Sequence, residues 1–158
     1  MLIRVTPDIL DPAEAIASVA SSRAGAINIF LGVVRDNNLG RSVNHLDYEA
    51  YPTMAEKVMR EIAEESVVRF GFEDVAVLHR TGRLEIGETS LLIAVSSGHR
   101  AESFEGGHWL VIDQETRTRL EERGLGRRRV VGRRAGIAGH ASAIARLNGV
   151  RNADPNRK

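Results

Sequence analysis

The chain has 158 residues, enough for one domain with a buried core, and its formal net charge at pH 7 is only +1. It contains no cysteine, which excludes disulfides, thiolate nucleophiles and thiolate metal ligands. No stretch approaches the roughly 20 apolar residues of a membrane span and no signal-like run opens the chain, so we expect a soluble, cytoplasmic protein that does not contact a membrane.

Short strands and helices alternate in the first part of the chain. Residues 3–5 are expected to form an edge strand, and a helix over 11–20 follows, with Asp11 as its N-cap and proline at its first position. Residues 25–34 are strand-like and lead into a polar loop over 35–41, which is rich in Asn, Asp and Gly. These patterns predict an α/β mixture.

The middle of the chain predicts a long helix and more strands. Residues 43–50 alternate as a strand, and Thr53 and Glu56 match a capping box that opens a helix reaching about residue 69. Residues 74–79 and 89–95 are apolar runs joined by a Gly-punctuated connection, which favours two antiparallel strands. The predicted class is therefore α/β in the α+β sense, with several β pairs.

The most informative junction follows the last of these strands, where Ser96-Ser97-Gly98-His99-Arg100 leads into a helical pattern. A serine cap would leave the first helical N–H groups facing forward and would set His99 and Arg100 in the first turn. Such a corner binds anions, typically phosphate, although a purely structural capped helix gives the same pattern. Arg35, at a strand end beside a polar loop, is a second candidate because guanidinium binds phosphate in a bidentate fashion.

Four ordered segments together resemble the large, catalytic subunit of molybdopterin synthase, the MoaE family. They are Phe30-Leu31-Gly32-Val33-Val34-Arg35-Asp36-Asn37-Asn38, Leu46-Asp47-Tyr48-Glu49-Ala50-Tyr51-Pro52, continuing through Met54-Ala55-Glu56-Lys57, then His79-Arg80-Thr81-Gly82-Arg83-Leu84, and Ser97-Gly98-His99-Arg100-Ala101-Glu102-Ser103-Phe104-Glu105. The resemblance covers about residues 1–112. It implies a hammerhead-type α/β fold with an additional antiparallel β subdomain, paired as a homodimer.

The resemblance also implies a reaction. The large subunit binds cyclic pyranopterin monophosphate, and a ubiquitin-like small subunit inserts its C-terminal Gly-Gly thiocarboxylate, so that two sulfur transfers build molybdopterin within a heterotetramer. By motif, Val33, Val34 and Arg35 would line the substrate loop, and His99 with Arg100 would hold substrate from the helix N-terminus. No cofactor and no metal is expected.

The chain departs from this family pattern after residue 112. Residues 1–112 carry 9 Arg and 1 Lys against 16 acids, whereas residues 113–158 carry 11 Arg and 1 Lys against 5 acids and no aromatic residue. We therefore divide the chain into a family-like domain, 1–112, and an Arg/Gly-rich tail, 113–158. The tail is expected to be mostly disordered, with helix near 116–123 and 138–147.

The tail also lacks the lysines that the family places in a Lys-x-x-x-Pro-x-Trp-Lys stretch, since the only lysines here are Lys57 and Lys158. Residues 113–132 can be encoded so that a one-nucleotide shift reads Ile-Lys-Lys-Arg-Val-Pro-Val-Trp-Lys, which suggests a tail translated out of frame. Two alternatives take the tail at face value. One is a catalytically inactive binding or scaffold homologue, and the other is a nucleic-acid binder that uses arginines 127–134, which we do not expect because stacking aromatics are absent.

Overall fold

A computed structural model of the chain describes residues 1–38, 41–118, 121–125 and 129–131. The elements in chain order are β1 (Leu2–Thr6), α1 (Pro12–Val19), β2 (Ala26–Val33), β3 (Asn37–Asn38), β4 (Arg41–Ser42), β5 (His45–Glu49), α2 (Pro52–Phe70), β6 (Phe72–Arg80), β7 (Gly82–Glu85), β8 (Thr89–Ser97), α3 (Arg100–Arg117), β9 (Glu121–Leu125) and β10 (Arg129–Val131). Among the described helices, none combines the length and the hydropathy needed to cross a bilayer.

The main sheet has the strand order β1-β6-β8-β2, with β1 parallel to β6 and the other pairs antiparallel. Its two central strands, β6 and β8, are continuous apolar runs because both of their faces are covered. Helices α2 and α3 cover one face, where Val77 and Ile93 meet Met59 and Leu110, and α1 covers the other, where Leu78 and Leu92 lie. This sheet with its helices contains both hydrophobic cores.

A second, antiparallel sheet has the order β10-β9-β5-β7, and β3 pairs with β4 in a two-stranded ribbon. Leu84 of β7 is fully buried and lies opposite Leu46 of β5. The predicted α+β class with an additional antiparallel β unit is therefore confirmed.

The predicted capping box at the start of α2 is wrong. The N-cap is Tyr51, which makes no side-chain cap, and Pro52 takes the first helical position. The Glu56 carboxylate instead accepts a hydrogen bond from the main-chain N–H of Val5 at 2.8 Å, at the outer edge of β1. The Tyr51 side chain is 84% exposed.

The division at residue 112 does not coincide with a break in the structure, because α3 runs through it to Arg117. Gln114 is buried and donates a hydrogen bond to the Met59 carbonyl, and Arg117 pairs with Glu65 and Asp113. Past the helix, 121–125 form β9 beside β5, so the prediction of helix over 116–123 is wrong there, and residues 113–118, 121–125 and 129–131 contradict the expected disorder. The helix predicted over 138–147 lies outside the described residues.

Candidate anion-binding site

The first predicted group of site residues lies where β2 ends. The pairing of β2 with β8 shifts register between Gly32 and Val33, and the chain then turns against the β7–β8 connection. Val34 donates its N–H to the Glu88 carbonyl at 2.9 Å and accepts the N–H of Gly87 at 2.8 Å. The Val34 side chain is buried and that of Val33 is 53% exposed, so Val34 anchors the corner while Val33 faces outward.

Arg35 follows directly and is exposed, with Nη2 3.5 Å from the Asn38 side-chain oxygen. None of the described carboxylates pairs with it, whereas nearby Arg80 and Arg83 pair with Glu88 and Glu85. An unpaired guanidinium beside a fixed corner is available to bind an external anion.

The second group lies at the N-terminus of α3. The expected serine cap is wrong: the N-cap is His99, which makes no side-chain cap, and the Ser97 hydroxyl donates to the His99 carbonyl at 2.6 Å. Arg100 is the first helical residue, so His99 lies just before the first turn and not within it. Because no side chain caps the helix, its first N–H groups stay available, and the positive end of an 18-residue helix dipole adds to the two exposed side chains.

Close main-chain packing fixes the position of this second corner. The Gly25 N–H donates to the Ser97 carbonyl at 2.9 Å, and a Cβ at Gly25 would collide with the Gly98 carbonyl oxygen. The corner also contains Glu102, one of whose carboxylate oxygens is buried without a hydrogen-bond partner in the described part of the chain. An anion at this helix end would be held by the Arg100 guanidinium, the His99 ring and the main-chain N–H groups against the Glu102 carboxylate.

The two groups of residues do not meet within one chain. Val33 lies opposite Thr89 and Ala26 opposite Ser97, so the Val33–Arg35 corner and the His99–Arg100 corner occupy opposite ends of the β2–β8 pair. Strand β8 makes eight residue steps from Thr89 to Ser97. At roughly 3.3 Å per residue, the two corners are therefore about 26 Å apart. A single small ligand cannot contact both corners of one copy.

Motif reading missed a shallow apolar concavity between the start of α2 and the end of α3. Its lining is Tyr51, Met54, Ala55, Val58, Arg117 and Thr118. Met54 is 69% exposed, because the buried stripe of α2 runs through Ala55, Met59 and Ile62. The sequence signal that could have indicated it is the pair of large side chains Tyr51 and Met54 around Pro52, at the start of α2.

His79, near the end of β6, is a packing residue. It is buried, with Nδ1 2.9 Å from the Arg80 carbonyl oxygen, and its ring packs edge-on against Tyr48. Burial lowers the pKa of His79 to about 4, so the ring is neutral near pH 7. It takes no part in either corner.

Two further features concern the other predicted functions. Within the described ranges no cluster of His, Asp and Glu is arranged to hold a metal ion. The arginines considered for nucleic-acid binding, 127–134, lie outside the described residues except at 129–131.

Comparison with known proteins finds a matching family model and relatives that share one description. The sequence model of the MoaE protein family matches residues 5–114. A molybdopterin synthase catalytic subunit from Pyrococcus abyssi is 47% identical over 117 residues, covering 74% of this chain and 79% of the relative.

Solved structures agree on the fold. Molybdopterin cofactor biosynthesis protein E from Burkholderia multivorans matches with a TM-score of 0.74 and 28% identity, over 93% of this chain and 96% of that one. A chain from the complex of subunits 1 and 2 of molybdopterin-converting factor from Helicobacter pylori matches with a TM-score of 0.67 over 84% of this chain and 91% of that one, and its 16% identity supports the fold alone. The protein belongs to the MoaE family.

Proposed function

We propose that the protein acts as the large subunit of molybdopterin synthase, the enzyme that converts cyclic pyranopterin monophosphate to molybdopterin with sulfur from a thiocarboxylated, ubiquitin-like small subunit. Family membership is the observation that carries this function. The family resemblance implies a heterotetramer of two large and two small subunits, and a chain of the same fold was solved in a complex of subunits 1 and 2 of the Helicobacter pylori molybdopterin-converting factor. We place the reaction in the cytoplasm.

Three exposed side chains, those of Arg35, His99 and Arg100, bind the substrate anion. Arg35 binds the phosphate in a bidentate fashion, and His99 and Arg100 bind it from the N-terminus of α3, whose N–H groups add donors. Val33 offers an apolar surface beside Arg35, and Val34 holds the corner in place through its two main-chain hydrogen bonds.

Each substrate site is formed by two copies of the chain. The corners of one copy are about 26 Å apart, so Arg35 of one copy and His99 with Arg100 of the other must combine around one ligand. A two-fold dimer then contains two identical sites, one at each end of the shared interface.

Mixing two defective variants tests this arrangement. Arg35→Ala and Arg100→Ala each remove binding of cyclic pyranopterin monophosphate in calorimetric titration, whereas Arg83→Ala, which loses only an exposed ion pair, binds normally. After an equal mixture is unfolded and refolded, half of the dimers carry one intact site, so about a quarter of the wild-type sites return. No recovery would show that the site lies within one copy.

We also propose that the residues from about 112 onward are encoded out of frame. The shifted reading restores a lysine-bearing stretch of the family kind, and arginine cannot replace a catalytic lysine because its guanidinium does not give up a proton near neutral pH. The chain as written is therefore expected to bind its substrate without converting it.

Sequencing the coding DNA across codons 105–135, with an intact mass of the protein, tests the reading frame. Reconstitution with the thiocarboxylated small subunit then compares the two chains: the restored frame forms molybdopterin and the present chain does not. Turnover by the present chain with a confirmed DNA sequence would refute the frame proposal and leave the binding proposal intact.

A further inference from the structure

One row of contacts connects the ends of all four strands of the main sheet to the corner that carries Arg35. Strands β1, β6 and β2 end at this side of the sheet and β8 begins there, because β1 runs parallel to β6 while β8 is antiparallel to both of its neighbours. Arg80, the last residue of β6, lies opposite Thr6 of β1. The β2–β8 pairing shifts register between Gly32 and Val33, so contacts beyond the regular ladder are needed to place the corner.

The Arg80 side chain bridges two segments at this end of the sheet. Its Nε donates a hydrogen bond to the Pro7 carbonyl at 3.3 Å, and its Nη1 lies 3.1 Å from Oε1 of Glu88. The Arg80 side chain is only 14% exposed, whereas the side chains of the nearby Arg83–Glu85 ion pair are 58–60% exposed. An exposed ion pair contributes little because two mobile side chains lose entropy, but a guanidinium already held by a carbonyl loses less when it pairs.

Glu88 connects this guanidinium to the anion-binding corner. Its second carboxylate oxygen, Oε2, accepts the N–H of Glu85 at 2.8 Å, and its main-chain carbonyl accepts the N–H of Val34 at 2.9 Å. The Glu85 N–H and the Arg80 guanidinium lower the pKa of the Glu88 carboxyl, so it stays ionised near neutral pH. Gly87, with φ at +89°, donates its N–H to the Val34 carbonyl at 2.8 Å. Both main-chain hydrogen bonds of Val34 therefore go to a turn that the Glu88 side chain holds.

We propose that Arg80 is a positioning residue, which acts through Glu88 to fix the corner from which Arg35 binds the substrate phosphate. The main chain of Val34 transmits the constraint, and Arg80 acts without contacting the substrate. This role rests on the proposed function in taking Arg35 as a group that binds the phosphate. Arg35 needs such support because its contact with the Asn38 side-chain oxygen, at 3.5 Å, is long for a hydrogen bond. A guanidinium misplaced by about an ångström loses the parallel hydrogen bonds of bidentate phosphate binding.

Removal of one negative charge distinguishes positioning from simple electrostatics. Glu88→Gln takes a negative charge away from an anion site, so electrostatics alone would tighten the binding of cyclic pyranopterin monophosphate. Glutamine has one acceptor oxygen where Glu88 uses two, so it releases either Arg80 or the Glu85 N–H. We therefore expect calorimetric titration to show binding weakened by about tenfold. The matched control is Glu85→Gln, which removes the same charge from the same turn, loses only an exposed ion pair and binds at least as tightly as wild type.

Amide hydrogen exchange tests the corner without substrate. In Glu88→Gln the Val34 N–H should exchange about tenfold faster, because the carbonyl that accepts it belongs to the loosened turn. The N–H of Leu92, which is fully buried in β8, should keep its rate. Arg80→Lys is the second variant if Glu88→Gln fails to fold. It keeps the positive charge but has one ammonium in place of two separate donors, so it should also speed Val34 exchange and weaken binding.

Three results would overturn the positioning role. They are binding by Glu88→Gln as tight as wild type or tighter, Val34 exchange unchanged in both variants, and equal acceleration at Val34 and Leu92, which would indicate a general loss of stability. A failure of the proposed function looks different, because Arg35→Ala would then bind the substrate like wild type. The Val34 exchange rates would still decide whether Arg80 and Glu88 hold the corner.

Discussion

Two adjacent glycines in the middle of α3 should respond oppositely to the same substitution. A Cβ at Gly107 would lie 3.8 Å from Asn28 and Val95, an ordinary contact, whereas a Cβ at Gly106 would lie 2.7 Å from Cγ of Phe70 and closer still to Cζ of Phe72. The Phe70 ring cannot move aside easily, because it stacks on Phe72 and packs against Trp109 with centroids 5.6 Å apart.

The magnitudes follow from two opposing effects. Alanine is better than glycine in a helix interior by about 1 kcal/mol, so Gly107→Ala should raise the free energy of unfolding by about 0.5–1 kcal/mol. Gly106→Ala has the same helical gain but overpacks a full core, which costs about 1–3 kcal/mol. We therefore expect it to be destabilised by about 1 kcal/mol on balance.

Urea unfolding at one fixed protein concentration measures both changes, since the stability of an associating protein depends on concentration. The propensity gain cancels in the comparison of the two variants, so their difference of about 2 kcal/mol isolates the close approach of α3 to the two phenylalanines. Equal stabilisation by the two substitutions would refute this packing argument.

Two further predictions concern stability. The pKa of His79 is lowered by burial to about 4 from an ordinary 6.5, so the unfolded chain binds more protons between these values and stability should fall by about 2 kcal/mol from pH 7 to pH 5. Urea denaturation at several pH values should show that His79→Gln removes this pH dependence of the unfolding free energy, while His108→Gln, at an exposed position, keeps it. An unchanged pH dependence in His79→Gln would contradict the lowered pKa of His79. Glu56→Ala should lower the free energy of unfolding by about 1.5–3 kcal/mol, because the Val5 N–H of β1 loses its acceptor. Thr53→Ala should change it by no more than about 0.5 kcal/mol. A larger loss from Thr53→Ala than from Glu56→Ala would show that Thr53 caps α2 after all.

Local patterns predicted α1 and the central strands well, because their determinants are local. Asp11 caps α1 through its own side chain, and continuous apolar runs mark strands buried on both faces. The capping box failed for the opposite reason: Glu56 is bound by Val5, 51 residues away in the chain, and no local pattern contains that partner.

The same distinction applies to the candidate site. Both groups of cations stood out in the sequence because each lies at the end of a strand. Their separation depends on the register of β2 against β8, which is set by pairing between distant segments and not by either motif. The separation of the two groups therefore becomes evident only once the sheet is built.

The strand order of the main sheet also determines when it can form during synthesis. The edge strands β1 and β2 are made first, and the central strands β6 and β8 that hold them come last. Strand β2 has no partner within the described sheet until residue 97 has left the ribosome, and β1 waits for β6 across more than 70 residues. Such long-range closure slows folding and leaves the apolar β2 segment open to chaperones meanwhile. A nascent chain stalled before residue 97 should therefore remain sensitive to protease.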